Sequence, residues 1–439
     1  MVGARDRHPR ASALLVTPKS RVRRIVLGVL LLGALAGGAT LWRAFAGADA
    51  VLRTIPLSSS DAAGAIAVDE HVGRAIVVGG GRPTTLSLID TQTGTLLRAI
   101  DLGGGSGRAV AVAVAAGHTF VLEIENALRN TGTTGTSGIV SMLDTRTGTL
   151  MRVIRVSQAP TVVAMDEQGG HVFVASEGRR NKIGNTLGAG TLSMLDARTG
   201  ALIRRVSLGI HPVTAAVDGR TRRVFVVNGG PIGRAGLSAG AVTVLNADTG
   251  GVLRTVMVGQ GAGAIAVDER TVRVFVTNEG SHDVSILDAR TGTVLQTVGV
   301  GFPRDVAVDE RVGRVVVANG APGTVSLLDA TNGAVLHTLD VGGDPDAVAV
   351  DARTSRAFVT GTGTNNGLYR QLQSIGLIRA ALPNDYGYVT ILDTRSGRVL
   401  HTVHVGPSGT KGVAVDVHTG HAFVTNLAGN SVTMLNARL

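Results

Sequence analysis

The chain has no cysteine among its 439 residues, which excludes disulfides and every form of thiolate chemistry. Stability must therefore come from packing. Aromatic residues amount to only 3%, while glycine is abundant at 61. With Val, Ala, Leu and Thr dominant, that composition favours many short strands joined by tight turns and gives little support to long helices. The body also lacks a charge excess. Residues 1–46 hold eight Lys/Arg against one acid, Asp6, which leaves 34 basic and 31 acidic residues for the remainder. The formal net charge of +10 is thus largely a property of the N-terminus, and a nucleic-acid-binding body is not indicated. Apolar content of 44% is ample for a core and argues against disorder. Nothing resembles a nucleophile elbow, a Walker loop, a zinc motif or a haem-attachment CxxCH.

The N-terminus has a character of its own. Lys19, Arg21, Arg23 and Arg24 precede an uncharged, largely apolar run of eighteen residues from Ile25 to Trp42. At about 1.5 Å rise per residue, such a helix comes close to spanning a bilayer core. The basic flank predicts a cytoplasmic tail over 1–24 and export of everything beyond. "AFAGADA" offers small-residue cleavage sites after Ala46 or Ala48, so residues 25–46 read either as a signal peptide or as a membrane anchor. On both readings the body is extracytoplasmic: periplasmic, cell-surface or secreted. The membrane is a partner only where the segment stays uncleaved.

The body, residues 51–439, is a repeat. "VSILDARTG" at Val284 recurs from Leu86, Val140, Leu192, Val242, Val325 and Val389, and in part from Val432, giving eight copies. Two strand-like phrases precede each copy, as in "IAVDERTVRVFVTN" from Ile265, and a third, such as "TVLQTVGVG" from Thr293, follows the first seven. One unit is four short β-runs with apolar residues on both faces, the pattern of a sheet sandwiched between two others. Four-stranded units arranged radially make a β-propeller. The eighth unit lacks its fourth strand, and the orphan "VLRTIPL" at Val51–Leu57 matches "VLRTVMV" at Val252–Val258. The expected fold is therefore all-β: an eight-bladed β-propeller of four-stranded blades, its last blade closed by the N-terminal strand 51–57 and preceded by one N-terminal hydrophobic helix.

The phrases "VFVTN" and "V(S/T)xLDxxTG" resemble the YVTN-family β-propeller repeats of surface-layer-type and exported bacterial and archaeal proteins. The resemblance covers nearly all of 51–439 and implies a fold; the family has no common catalytic motif. Some relatives are associated with periplasmic quinoprotein or amine-oxidising systems, and the resemblance implies that possibility.

Columns of the repeat are read first as architecture. The Asp ending "LD" (Asp90, Asp144, Asp196, Asp288, Asp329, Asp393, with Asn246 and Asn436 in its place) suits a turn acceptor, and the Gly four residues on suits positive φ. Arg74, His118, His171, Arg223, Arg273, Arg314, Arg356 and His421 open the second strand. They are expected to pair with the Asp of "AVD", as Arg74 with Asp69, across a short hairpin. Six Phe residues fall at one position of the second strand (Phe120, Phe173, Phe225, Phe275, Phe358, Phe423) and are assigned to the core. No His/Asp/Glu cluster has metal-ligand spacing, so no metal, cofactor or catalytic residue is expected.

Departures from the repeat carry the functional reading. Insertions at Glu123–Gly138, Ser176–Gly190, Asn228–Gly240 and Gly361–Gly387 all fall between strands two and three, so they project from one face. Within the last, Leu368, Leu372, Ile375, Ile378 and Leu382 share a helical face, either packed on the ring or forming a lid. Candidate ligand- or partner-binding residues are Glu123, Glu177, Glu279, Arg304, Asp346 and Lys411 near the channel mouth, with Tyr369, Tyr386 and Tyr388, all three tyrosines of the chain. Spacing forces no two of the charges together, which favours solvated loop positions. The expected function is an exported non-catalytic scaffold that binds a protein, glycan or small ligand through the insertion-bearing face. The alternative is a propeller enzyme or accessory subunit, a lactonase or hydrolase or a partner of a quinoprotein dehydrogenase, with its site at the mouth.

Overall fold

A second strand such as "RVFVTN" has nowhere to put a polar face, and its alternate residues enter two different cores. Val274 and Val276 pack with Phe225 and Val242 of the preceding blade, whereas Phe275 packs with Val306, Val315 and Val317 of the following one. Eight such cores occur, one at each boundary between adjacent blades. The six Phe of the column are fully buried, and Ile76 and Val316 fill the same place in the remaining units.

The computed structural model describes residues 50–57, 63–79, 84–102, 107–128, 134–178, 188–230, 238–320, 322–363, 386–407, 409–427 and 429–438, with the backbone alone for 107–108, 125–128, 134–137 and 407. By internal contacts the chain divides into Met1–Ala48 and Asp49–Leu439. The basic tail 1–24, the apolar segment 25–46, the helix expected at Leu368–Leu382 and Tyr369 lie outside the described residues. Among the described residues no helix is long and apolar enough to cross a membrane.

Thirty-two strands, β1 to β32 in chain order, form eight antiparallel four-stranded sheets among the described residues. Blade 1 consists of β2 (Ala63–Asp69), β3 (Arg74–Gly79), β4 (Thr85–Asp90) and β5 (Leu96–Asp101), paired in that order. Blades 2 to 7 repeat the pattern over 107–156, 160–207, 212–260, 262–299, 303–340 and 344–407. Blade 8 combines β30 (Thr410–Asp416), β31 (His421–Asn426) and β32 (Ser431–Asn436) with β1 (Val51–Pro56). β1 lies antiparallel to β32, with Ile55 opposite Val432 and Thr54 opposite Thr433. The first strands of successive blades adjoin in a closed circle, blade 8 against blade 1. The eight-bladed ring and its N-terminal closing strand form as the repeat predicts.

The turn between third and fourth strands is built as expected. Asp90 Oδ1 accepts the N–H groups of Gln92 and Thr93 at 3.1 and 2.9 Å, and Asn246 does the same for Asp248 and Thr249 at 3.0 and 2.8 Å. An acceptor suffices; charge is not needed. The Gly closing the turn has φ of 65–72° in all seven complete copies. This turn also reaches the neighbour. In blades 1 to 5 the third residue of the outer strand hands a side-chain donor to a carbonyl of the next blade's turn: Arg98 to Thr147, Arg152 to Thr199, Arg204 to Thr249 and Arg254 to Thr291, at 2.6–3.1 Å, with Gln296 to Asn332 at 2.6 Å. The turn glycine packs so closely on the preceding blade that a Cβ at Gly200 would collide with Ile154 and Met142.

One expected pairing is different. The arginines opening the second strand pair with the Asp ending the third strand, Arg74–Asp90 at 3.0 Å, Arg273–Asp288 at 3.5 Å, Arg314–Asp329 at 3.4 Å and Arg356–Asp393 at 2.7 Å, not with the Asp of "AVD". The "AVD" Asp turns inward instead. Asp69, Asp218, Asp268 and Asp416 are buried and spend one oxygen on N–H groups of their own hairpin, as Asp218 does for Thr221 at 2.9 Å. A buried carboxylate in a tight turn finds backbone donors nearer than a guanidinium on the flanking strand. His171 alone keeps an "AVD" partner, Asp166 at 3.5 Å.

Ring closure should make the blade 8 seam as costly to disturb as any local contact. Ile55 is 2% exposed and packs against Phe423, Val432 and Met434. Ile55→Ala is expected to lower unfolding free energy by about 2–5 kcal/mol in urea denaturation. A loss no larger than that of an exposed outer-strand position such as Leu52→Ala would show that the seam carries no load.

Candidate functional site

Because strands alternate in direction, the second-to-third strand connections and the inter-blade connections share one end of the ring, here the upper end. They are tied together there. The residue after the second strand donates its N–H to the connection leading into its own blade, as Glu177 to Ala159 at 3.0 Å, Glu279 to Gly261 at 3.0 Å and Gly320 to Phe302 at 2.9 Å.

Below this tie runs a buried polar column that the sequence reading passed over. Asn228, Asn278, Asn319 and Asn426 stand three residues after the Phe column and donate Nδ2 to a hydroxyl of the third strand: Thr243, Ser285, Ser326 and Thr433, at 2.9–3.0 Å. The signal was the "N" of "VTN" facing the "S/T" of "VS". Two predicted site residues belong to this column. Glu123 takes the Asn position in blade 2, where it is buried and accepts the Ser141 hydroxyl at 2.6 Å. In blade 7 the position is Gly361, and Tyr388 fills the space. Its ring is fully buried against Gly343 and Gly361, and its hydroxyl donates to the Gly342 carbonyl at 2.6 Å. Tyr388 thus offers no surface to a ligand, and Glu123 is not a solvated loop charge.

Glu177 is buried as well, with Oε1 2.9 Å from Nδ1 of His211 in the connection to blade 4. Glu279 stands at the equivalent place in blade 5 and is half-buried. Tyr386 opens the third strand of blade 7 and is half-buried, its carbonyl accepting the Gly363 N–H at 3.1 Å. Lys411, near the start of β30, is exposed. These residues come from separate blades and are not gathered into one site.

A different set is gathered. Arg304, in β22 (Pro303–Asp309), reaches across to blade 7 and forms ion pairs with Asp344 and Asp346 of β26 (Asp344–Asp351), each at 3.3 Å. Arg304 and Asp346, chosen separately from the sequence, therefore meet. Asp305 points the other way and bridges the same two inner strands: Oδ1 accepts the Val306 N–H at 2.9 Å and Oδ2 the Val348 N–H at 2.8 Å. The equivalent positions elsewhere are Ala65, Ala111, Val162, Thr214, Ala264, Ala347 and Gly412, so no blade needs a carboxylate there. Burial pushes the Asp305 carboxyl up to about 6; the two N–H groups oppose that rise and the charge of Asp346 adds to it. Immediately before Arg304, Phe302 stands 37% exposed, its ring 4.4 Å from that of His282, which has φ of 60° in a tight turn. "FPRD" at Phe302–Asp305 thus brings an exposed aromatic, a paired guanidinium and a carboxyl raised by burial into four consecutive residues at the upper end of the ring. The sequence reading missed Phe302, Asp305, Asp344 and the part of His282. The available signal was Phe302, the sole propeller Phe outside the core column.

Blade 2 adds a projection. Its second and third strands, β7 (His118–Leu128) and β8 (Thr134–Asp144), stay paired to Leu128 opposite Thr134, well beyond the six-residue strands of blade 3 or 5. Part of the insertion expected as loop is therefore a hairpin above the ring. Among the described residues no group of three or more His, Asp or Glu side chains is placed to hold a metal ion.

Comparison with known proteins adds the fold. The crystal structure of the Saccharomyces cerevisiae Sqt1, a WD40 propeller, matches with a TM-score of 0.63, covering 88% of this chain and 98% of that one. The chain is a β-propeller. At 11% identity the likeness extends to architecture alone. No family model and no curated protein matches the sequence, so membership of the YVTN family is not shown.

The Asp305 carboxyl gives a pH signature. Its folded-state value, about 6, lies above the ordinary 3.8, so the folded protein holds this proton more tightly than the unfolded chain. Stability from this group is present at low pH and is lost as pH rises through that window, by up to roughly 1.4 kcal/mol per pH unit. Asp305→Asn keeps an acceptor for Val348 and should remove that component. Urea denaturation from about pH 4 to about pH 7 checks it, and parallel slopes for the two proteins would contradict the assignment.

Proposed function

We propose that the protein is a binding scaffold that captures a partner protein through the upper mouth of the ring, centred on Phe302, Arg304 and Asp305 where blades 5, 6 and 7 meet. The observation that carries this reading is the exposed, tilted Phe302–His282 ring contact two residues from the Arg304 ion pairs with Asp344 and Asp346. None of it is required by the repeat, and exposed aromatic and arginine side chains are among the residues enriched at interface anchors. Propellers commonly serve as interaction scaffolds, which agrees with the reading as a fold-level analogy. The extended pairing of β7 and β8 in blade 2 supplies further contact surface on the same end. The propeller acts outside the cytoplasm in this proposal, on the strength of the basic residues Lys19–Arg24 ahead of the apolar run Ile25–Trp42.

The test is a paired substitution. Phe302→Ala and Arg304→Glu should each reduce capture of the partner at least tenfold in quantitative affinity purification from cell-envelope fractions, with circular dichroism and melting temperature unchanged. Lys411→Ala, at an exposed isolated charge, serves as the neutral control. Equal capture by all three variants would place the interface elsewhere. A second reading, a hydrolytic propeller, draws on the raised carboxyl of Asp305 as a proton-transferring group. It requires Asp305→Asn to abolish hydrolysis of an ester or lactone substrate.

A further inference from the structure

The opposite, lower end carries an irregularity of its own. In four blades the arginine opening the second strand is neutralised by the Asp ending the third, as in Arg273–Asp288 and Arg356–Asp393. Blade 4 breaks that rule. Arg223 lies directly opposite Asn246 in the strand ladder, and its guanidinium donates to the carbonyls of Thr221 and Arg222 at 3.2 and 3.3 Å. Among the described residues Arg223 forms no ion pair, although it is half-buried. Blade 8 has the same Asp-to-Asn replacement at Asn436 without the same result, because its partner is His421, whose Nδ1 lies 2.7 Å from the Thr91 carbonyl.

Two further arginines border the same space as Arg223. With Arg254 and Arg290 it lines a cleft of about 500 Å³ between blades 4 and 5, walled by Val244 and Leu253. Arg223 and Arg290 also line an adjoining space of about 300 Å³ with Arg220 and Thr221. Arg254 is held in place by its bond to the Thr291 carbonyl at 3.1 Å. The nearby acids are committed elsewhere. Asp288 pairs with Arg273 and accepts the Thr291 N–H and hydroxyl, and Asp248 pairs with Arg222. Arg223, Arg254 and Arg290 therefore line the cleft, with Arg220 in the space beside it, and among the described residues no carboxylate forms an ion pair with any of the four; Asp218, opposite Arg223 in the ladder, is buried and accepts the Thr221 N–H. A half-buried guanidinium without a counter-charge is costly, and a planar fork of N–H donors matches the anionic oxygens of a phosphate ester.

We propose that this cleft is a binding site for a phosphate group, with Arg223 as its central donor and Arg220, Arg254 and Arg290 around it. The group is a phosphate ester, borne either by a soluble molecule or by a lipid headgroup. The site is independent of the upper mouth and of the function proposed for it.

Inorganic pyrophosphate is the probe, titrated calorimetrically into the full chain at low ionic strength. The expected result is saturable binding that weakens as sodium chloride is added. Asn246→Asp supplies the carboxylate that six other units already carry, so folding is preserved, and it should weaken binding roughly tenfold or more by occupying Arg223. Arg290→Ala, on an exposed turn, should weaken it severalfold, and Asn436→Asp in blade 8 should leave it unchanged. Displacement of bound pyrophosphate by phosphatidylglycerol vesicles, and not by phosphatidylcholine vesicles, would identify a lipid headgroup; no displacement by either would identify a soluble ester. The proposal is overturned if the wild-type chain shows no saturable binding, or if Asn246→Asp and Arg290→Ala bind pyrophosphate as the wild type does.

Discussion

The structure depends on how each blade's last turn sits on the blade before it. A four-stranded sheet with two apolar faces is insoluble alone, and the ring solves this by giving each face a neighbour. The neighbour must be held at a fixed angle, which the Asp-x-x-Thr-Gly turn achieves. Its Asp folds the turn, its Gly removes the Cβ that would strike the adjoining blade, and a carbonyl takes the guanidinium handed over by the preceding outer strand. The Thr147 and Thr199 hydroxyls, together with their amides, hold the Asp144 and Asp196 carboxyls below their ordinary value, so the device stays charged at neutral pH. Three unrelated demands converge on one short phrase, which explains its repetition.

That same convergence explains what could be read from sequence. The fold was legible because the joint between blades recurs, and β1 was recognisable because it matches the outer strands to which it is equivalent. Side-chain partners were harder. The pairing of the second-strand arginines was assigned to the wrong Asp because two carboxylates flank each arginine in sequence, and only the turn geometry shows which one is consumed by backbone N–H groups. Glu123 looked like a loop charge because its column is Asn elsewhere, and a column of buried Asn is inconspicuous among polar loop residues. Tyr388 looked like a surface aromatic beside an insertion, whereas Gly361 across the ladder had made room for it. Arg304 and Asp346 are one repeat apart, and their meeting follows only once inner strands of adjacent blades lie side by side.

The two ends of the ring depart from the repeat in different ways. At the upper end, Asp305 stands where other blades have Ala, Gly, Val or Thr, and with Arg304 it bridges blades 6 and 7 next in sequence to an exposed ring. At the lower end, a single missing carboxylate leaves a guanidinium without its partner. Both depend on the regular blades, which fix the surrounding backbone so that one substitution changes the local field without moving the scaffold.

The clasp between β1 and β32 has a consequence for the order of events in making the protein. A chain is synthesised from its N-terminus, so β1 emerges early and waits with an unpaired edge and an unburied Ile55 until the last strand exists to receive it. Seven blades can assemble from local contacts in that interval, but the circle cannot close, and the final step joins segments at opposite ends of the propeller sequence. Anything that shields the early strand during the wait, or releases it too late, would govern the yield of closed rings without altering a single native contact.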